Sequence, residues 1–150
     1  TDQGLVRKNN EDAVAFDEQT GLCLLADGMG GYNAGEVASA MAVSVITQEL
    51  KAWLLRSGLQ TPARDLRLMM KTCVENANQS IFDAACNNPD HEGMGTTLVA
   101  GVFTGDRLVL SHVGDSRCYR LRFETLLQLT KDHSILQEQV DAGLMTLTST

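Results

Sequence analysis

An apolar run that delivers a carboxylate into a cluster of glycines sets the strongest constraint on how this chain folds. Residues 22–26 read Leu-Cys-Leu-Leu-Ala, and Asp27-Gly28-Met29-Gly30-Gly31 follows at once. Five apolar residues closed by glycines are too few for a helix and fit a fully buried strand. Glycine allows the sharp change of direction expected beyond Asp27. A carboxylate at the tip of such a strand is costly to bury alone, so it needs a cation or hydrogen-bond donors. The remaining sequence is therefore read for what stands beside Asp27.

Upstream, residues 1–7 suggest a short strand entering a polar loop, and Asn9-Asn10-Glu11-Asp12 precedes a second strand at 13–16. The turn-rich residues 17–21 make that strand and the 22–27 run a hairpin. Glu11 and Asp12 then head one strand while Asp27 ends the next, and antiparallel pairing makes these ends neighbours. Successive side chains of a regular strand point to opposite faces. Glu11 and Asp12 reach one ion only if the strand starts irregularly; otherwise both are solvated strand-end residues. Arg7 stands four residues before Glu11.

Downstream, residues 35–57 read as a helix, with Val37, Met41, Val45, Ile46, Leu50, Trp53 and Leu54 as its apolar stripe and Gly58 as its stop. Thr61-Pro62 opens a second helix, Thr61 as cap and proline in the first turn, whose buried face is Leu66, Met69, Met70, Cys73, Ala77, Ile81 and Ala84. Two helices joined this closely suggest an antiparallel pair lying on a sheet. Residues 87–95 form a polar loop. Residues 96–103 and 108–113 are strands joined by a tight turn, 118–122 and 126–129 are further strands, and a last helix spans 135–142.

The 108–113 run ends in Gly114-Asp115, repeating the logic of Asp27. Asp115 alone fits a turn-capping aspartate. Beside Glu11 and Asp27 it reads as one member of an acidic cluster, whose carboxylates must share protons or bind cations. Oxygen donors without cysteine or histidine favour magnesium or manganese over zinc. His112, inside its strand, reads as a hydrogen-bonded core histidine. The net charge of −7 over 150 residues argues against a nucleic-acid or anionic-membrane surface, and no apolar run is long enough to span a bilayer. The four cysteines are widely spaced in apolar runs and read as buried thiols of a reducing, cytoplasmic compartment.

Taken together the motifs resemble the metal-dependent serine/threonine protein phosphatases of type 2C, especially compact bacterial members. They stand as Thr1-Asp2-Gln3-Gly4-Leu5-Val6-Arg7, Asn10-Glu11-Asp12-Ala13, Ala26-Asp27-Gly28-Met29-Gly30-Gly31, Ala34-Gly35-Glu36-Val37-Ala38-Ser39, Gly95-Thr96-Thr97, Val113-Gly114-Asp115-Ser116-Arg117 and Leu129-Thr130-Lys131-Asp132-His133-Ser134. The resemblance implies an α+β fold, a β-sandwich of two mainly antiparallel sheets flanked by antiparallel helix pairs, with two or three Mn2+ or Mg2+ ions in the cleft. It implies that Asp27 bridges two ions and that Glu11 and the Gly28 carbonyl complete the second ion's protein ligands. Asp12 orients the attacking water, Arg7 clamps the substrate phosphoryl group, and Asp115 serves a further, weaker ion. The substrate is then a phosphorylated protein, in signal transduction opposite a serine/threonine kinase.

Two departures stand out. Met29 occupies a position where many eukaryotic members carry a proton-donating histidine. Nothing after Ser134 contains the family's later Ser-Asp-Gly and Asp-Asn motifs. Residues 1–150 are therefore expected to be the N-terminal part of one catalytic domain, lacking strands that another segment or another chain would cover. The alternative function is a truncated or non-catalytic fragment that binds cations or phosphoprotein without turnover. A dinucleotide-binding loop is excluded by Asn33, which stands where the glycine fingerprint needs its third glycine.

Overall fold

The computed structural model describes residues 1–6, 9–31, 33–58, 61–133, 137 and 141–142. A hairpin joins β1 (Asp12–Asp17) to β2 (Leu22–Met29). Two long helices follow, α1 (Ala34–Ser57) and α2 (Ala63–Asn87), then a single 3-10 turn at Pro89–His91. The remaining strands are β3 (Gly95–Thr96), β4 (Leu98–Thr104), β5 (Arg107–Val113), β6 (Tyr119–Arg122) and β7 (Thr125–Gln128). Every pairing is antiparallel: one sheet runs β1-β2-β4-β5 with β3 also on β2, and β6-β7 form a separate ribbon. The fold is α+β, as the sequence implies.

Both helices pack on one face of the larger sheet. Leu22 and Leu24 of β2, and Leu98, Ala100 and Val102 of β4, meet Ile46 and Leu50 of α1 and Leu66, Met70 and Cys73 of α2. A second cluster, nearer the acidic end, is built mostly from alanines: Ala26, Ala34, Ala38 and Ala42, with Ile81 and Met94. The buried line of α1 thus runs through Ala38 and Ala42, and the larger Val37, Met41 and Val45 flank it. Small residues let backbones approach closely, so the first turns of α1 press onto the sheet. Burial raises the Cys73 thiol to about 12, with Glu49 adding to the shift, which leaves it inert.

The other sheet face is apolar and open. Val14, Phe16, Leu25 and Phe103 are exposed there, and a cavity of about 850 Å³ is lined by Leu25, Val99 and Leu110 of the sheet and by Cys118, Leu121 and Leu129 from the ribbon side. Of the two antiparallel sheets expected, the second is represented among the described residues by the two-stranded β6-β7 ribbon, whose strands are exposed.

Several local expectations are corrected. Residues 1–6 form no strand, and Leu5 and Val6 are fully exposed. The hydroxyl of Thr61 does not cap α2; it donates to the Gly58 carbonyl (2.7 Å), while the Pro62 carbonyl accepts from Asp65 and Leu66. β2 does not end at Asp27, because Gly28 and Met29 pair with Thr96 and Gly95. The strand expected over 96–103 is divided at Thr97. The expected last helix falls mostly outside the described residues.

Candidate active site

The acidic residues meet where the β1-β2 ladder ends. Asp12 pairs directly with Asp27, and the Gly28 N–H donates to the Glu11 carbonyl (3.0 Å), adding one rung beyond. That rung makes Glu11 and Gly28 the hydrogen-bonded pair, so Asp12 and Asp27 are a non-hydrogen-bonded pair, where side chains approach most closely. Partners across a ladder share a face. Asp12 and Asp27 therefore project together on the open face, with Val14 and Leu25, while Glu11 lies on the helix face.

Two glycines bring α1 against Glu11. A Cβ on Gly28 would lie 1.9 Å from the Gly35 carbonyl oxygen, and one on Gly35 would lie 3.0 Å from the Glu11 carboxyl carbon. Only residues without side chains fit that approach. Glu11 is consequently half-buried between the ladder end and the first turn of α1. β1 begins at Asp12, but the added rung carries the ladder's regular alternation through Glu11, so the irregular strand start needed for Glu11 and Asp12 to reach one ion is not seen here.

Thr97 stands opposite Asp27 in the same register as its neighbours on either side. Its N–H donates to the Asp27 carbonyl (2.9 Å), but the Asp27 N–H donates to the Thr97 hydroxyl (3.1 Å), and the Thr97 carbonyl accepts from the Thr96 hydroxyl (3.0 Å). The same Thr97 hydroxyl hydrogen-bonds the Ser116 hydroxyl (2.7 Å). Gly114, at φ 92°, packs on the Thr97 side chain; a Cβ there would meet the Thr97 methyl at 2.8 Å. Asp115 lies between Gly114 and Ser116, so its turn is attached to Asp27 through one residue. Composition and periodicity give no sign of this role.

The turn is fixed from the far side as well. Arg117 grips Asp132 bidentately, Nε to Oδ1 at 2.9 Å and Nη2 to Oδ2 at 2.6 Å, and the His133 N–H donates to the Gly114 carbonyl (2.9 Å). The guanidinium holds the Asp132 carboxyl below the usual carboxylate range, and Asp132 in turn raises Arg117. His112 stacks on His133 at 4.8 Å, and its Nε2 lies against the main chain of Lys131. His112 is thus hydrogen-bonded, as read from its strand, but it pairs with Val99 on the open sheet face and is half-buried rather than a core residue.

Of the residues expected at the site, Glu11, Asp12, Asp27 and Gly28 share the ladder end, Asp115 is tied to it through Thr97, and Arg7 lies outside the described residues. Among the described residues no three His, Cys, Asp or Glu side chains are gathered closely enough to hold an ion. The expected convergence is therefore one of backbone positions, and strand alternation sends Glu11 to the face opposite Asp12 and Asp27. The donor set nevertheless fits a hard divalent cation, since it consists of carboxylate and carbonyl oxygens.

Fold and donor set together define an α+β protein with an oxygen-donor acidic site at one end of its sheet. The Protein phosphatase 2C family profile matches residues 6–142, and the chain belongs to that family. The serine/threonine protein phosphatase PstP of Mycobacterium tuberculosis is 44% identical over 146 residues, which cover 97% of this chain and 26% of PstP. The serine/threonine phosphatase stp of Listeria welshimeri is 39% identical over 95% of this chain and 56% of its own length. Among solved structures, the PstP catalytic domain in complex with two manganese ions superposes with TM-score 0.81 at 43% identity, over 97% of this chain and 59% of that one. The chain thus spans between a quarter and three-fifths of these relatives.

Proposed function

We propose that this chain is part of a protein serine/threonine phosphatase that hydrolyses phosphoserine and phosphothreonine esters in proteins with Mn2+ or Mg2+ as cofactor. The observation that carries the reading is the Asp12–Asp27 pair, two carboxylates opposed at the glycine-packed end of a ladder. Residues 1–150 belong to one catalytic domain, to which aspartate motifs not present here contribute further ligands. Asp27, Glu11 and the Gly28 carbonyl would hold two ions, and Asp115 would hold a third, weaker one. Divalent ions held there would supply an activated water and neutralisation of phosphoryl charge.

The protein's own groups do the rest by position. Asp12, on the face of Asp27, accepts a hydrogen bond from the attacking water and aims its lone pair at phosphorus. Arg7 offers the planar pair of N–H donors that matches two phosphoryl oxygens. Met29 is exposed beside Gly28 and has no proton to give, so the leaving serine or threonine oxygen takes its proton from water. No covalent enzyme intermediate is required. The enzyme acts in the cytoplasm, in signalling, opposite a serine/threonine kinase.

The test is phosphate release from a phosphothreonine peptide by the full-length protein, with and without Mn2+. Asp27→Asn is expected to cut the metal-dependent rate by at least about 100-fold, the upper end of what loss of a metal-supporting group costs. Retention of the rate at saturating Mn2+ would remove Asp27 from the reaction.

A further inference from the structure

We infer that Thr97 is a positioning residue that sets where Asp27 and the Asp115 turn stand relative to each other, an inference that rests on the phosphatase reading above. The register on both sides of Thr97 is continuous: Leu25 pairs with Val99 and Gly28 with Thr96, so Asp27 falls opposite Thr97. A regular rung there would exchange two main-chain hydrogen bonds. One of them is replaced, because the Asp27 N–H goes to the Thr97 hydroxyl in place of the Thr97 carbonyl. The peptide groups at Asp27 are thus set by a side chain.

The substitution of hydroxyl for carbonyl has a second effect. An oxygen bound to the Asp27 N–H retains a proton and a further lone pair, and the Ser116 hydroxyl takes up that capacity at 2.7 Å. The Thr97 methyl meanwhile supports Gly114. One residue therefore bonds the strand of Asp27 on both its N–H and its C=O, bonds the residue after Asp115, and packs against the residue before it. The two anchoring points of the acidic site cannot shift independently while these contacts hold. A valine at this position keeps the shape and loses both hydroxyl bonds; a serine keeps the bonds and loses the methyl.

The experiment uses the full-length protein and follows Mn2+ binding by electron paramagnetic resonance of the free ion, alongside phosphopeptide kinetics. Thr97→Val is expected to weaken Mn2+ binding about 10- to 100-fold, the range seen when groups supporting a ligand are removed. Its KM for the peptide at saturating Mn2+ should stay within about twofold, and Thr97→Ser, which keeps both hydroxyl bonds, should bind Mn2+ within about threefold of the unsubstituted protein. Ser116→Ala keeps the bond to Asp27, and it is expected to weaken only the most weakly held ion. Wild-type affinity in both Thr97→Val and Ser116→Ala overturns the inference, as does a Thr97→Ser protein as impaired as Thr97→Val. If Thr97→Val does not fold, wild-type Mn2+ affinity in Ser116→Ala, or a Thr97→Ser protein weakened more than about 10-fold, overturns the inference. Absence of Mn2+ binding and turnover in the unsubstituted protein would overturn the phosphatase reading itself, a separate outcome.

Discussion

Asp12 shows at the scale of one residue how function and stability pull apart. Its carboxylate stands directly across from that of Asp27 in the close, non-hydrogen-bonded kind of pair, where like charges destabilise a sheet. Asp12→Asn should therefore stabilise the chelator-treated protein by about 0.2–1 kcal/mol, the usual size of a cross-strand pair effect, read as a rise in the urea midpoint. The same change should lower Mn2+-dependent turnover of the full-length enzyme about 10- to 100-fold. A variant that gained no stability, or kept full turnover, would show that the pair does not carry opposed charges for catalysis. The sequence names both carboxylates but leaves open which of Glu11 and Asp12 shares the face of Asp27, because alternation decides that only once the register is known. Thr97 was less legible still. Its signal is one hydroxyl taking the place of one carbonyl, and no composition or spacing encodes that.

At the scale of elements, the end of the β1-β2 ladder and the first turn of α1 act as one unit because Gly28 and Gly35 touch. A Cβ on Gly35 would lie 2.9 Å from the Gly28 carbonyl carbon and the Met29 nitrogen, both backbone atoms that cannot swing aside. Gly35→Ala should cost about 1–3 kcal/mol of stability by overpacking. Gly31→Ala, where no atom lies within 4 Å of the added methyl, should be nearly silent on packing grounds. Urea unfolding of the two variants checks the contrast, and equal losses would mean that α1 can retreat from the ladder. Most elements were readable in advance: the periods of two and of three to four placed β1, α1, α2, β4 and β5 to within a few residues. β2, however, extends past Asp27 because β3 offers it a partner, and residues 1–6 pair with no strand among the described residues. The first outcome depends on contacts across about 70 residues, which local pattern does not contain.

At the scale of the molecule, the sheet is held to its surroundings by a few ion pairs that join distant segments. Lys51 of α1 reaches Asp17 at the far end of β1 (2.5 Å), and Arg117 grips Asp132 across the Asp115 turn. None of these pairs was legible in the sequence, where the partners stand 34 and 15 residues apart. Asp17 is held below the usual carboxylate range by Lys51 first and by the Thr20 hydroxyl next, and Asp132 by Arg117. A carboxylate depressed in the folded state binds fewer protons folded than unfolded. Its stabilisation is fully present above the unfolded value of about 4 and is lost as pH falls through the lower folded value. Stability should accordingly be flat with respect to these two groups near neutrality and decline as the pH drops below about 4. Urea midpoints measured between neutral pH and acid should show that decline, and it should shrink in Asp132→Asn, which has no carboxyl to protonate. Because Asp132 closes the turn from the side opposite Thr97, the acid-induced loss should appear as release of the Asp115 turn before the Ile46–Leu50 core opens. Hydrogen exchange at His133, whose N–H bonds the Gly114 carbonyl, would report it. Protection at His133 that persisted in acid until global unfolding would show that the Arg117–Asp132 pair contributes nothing local to the turn.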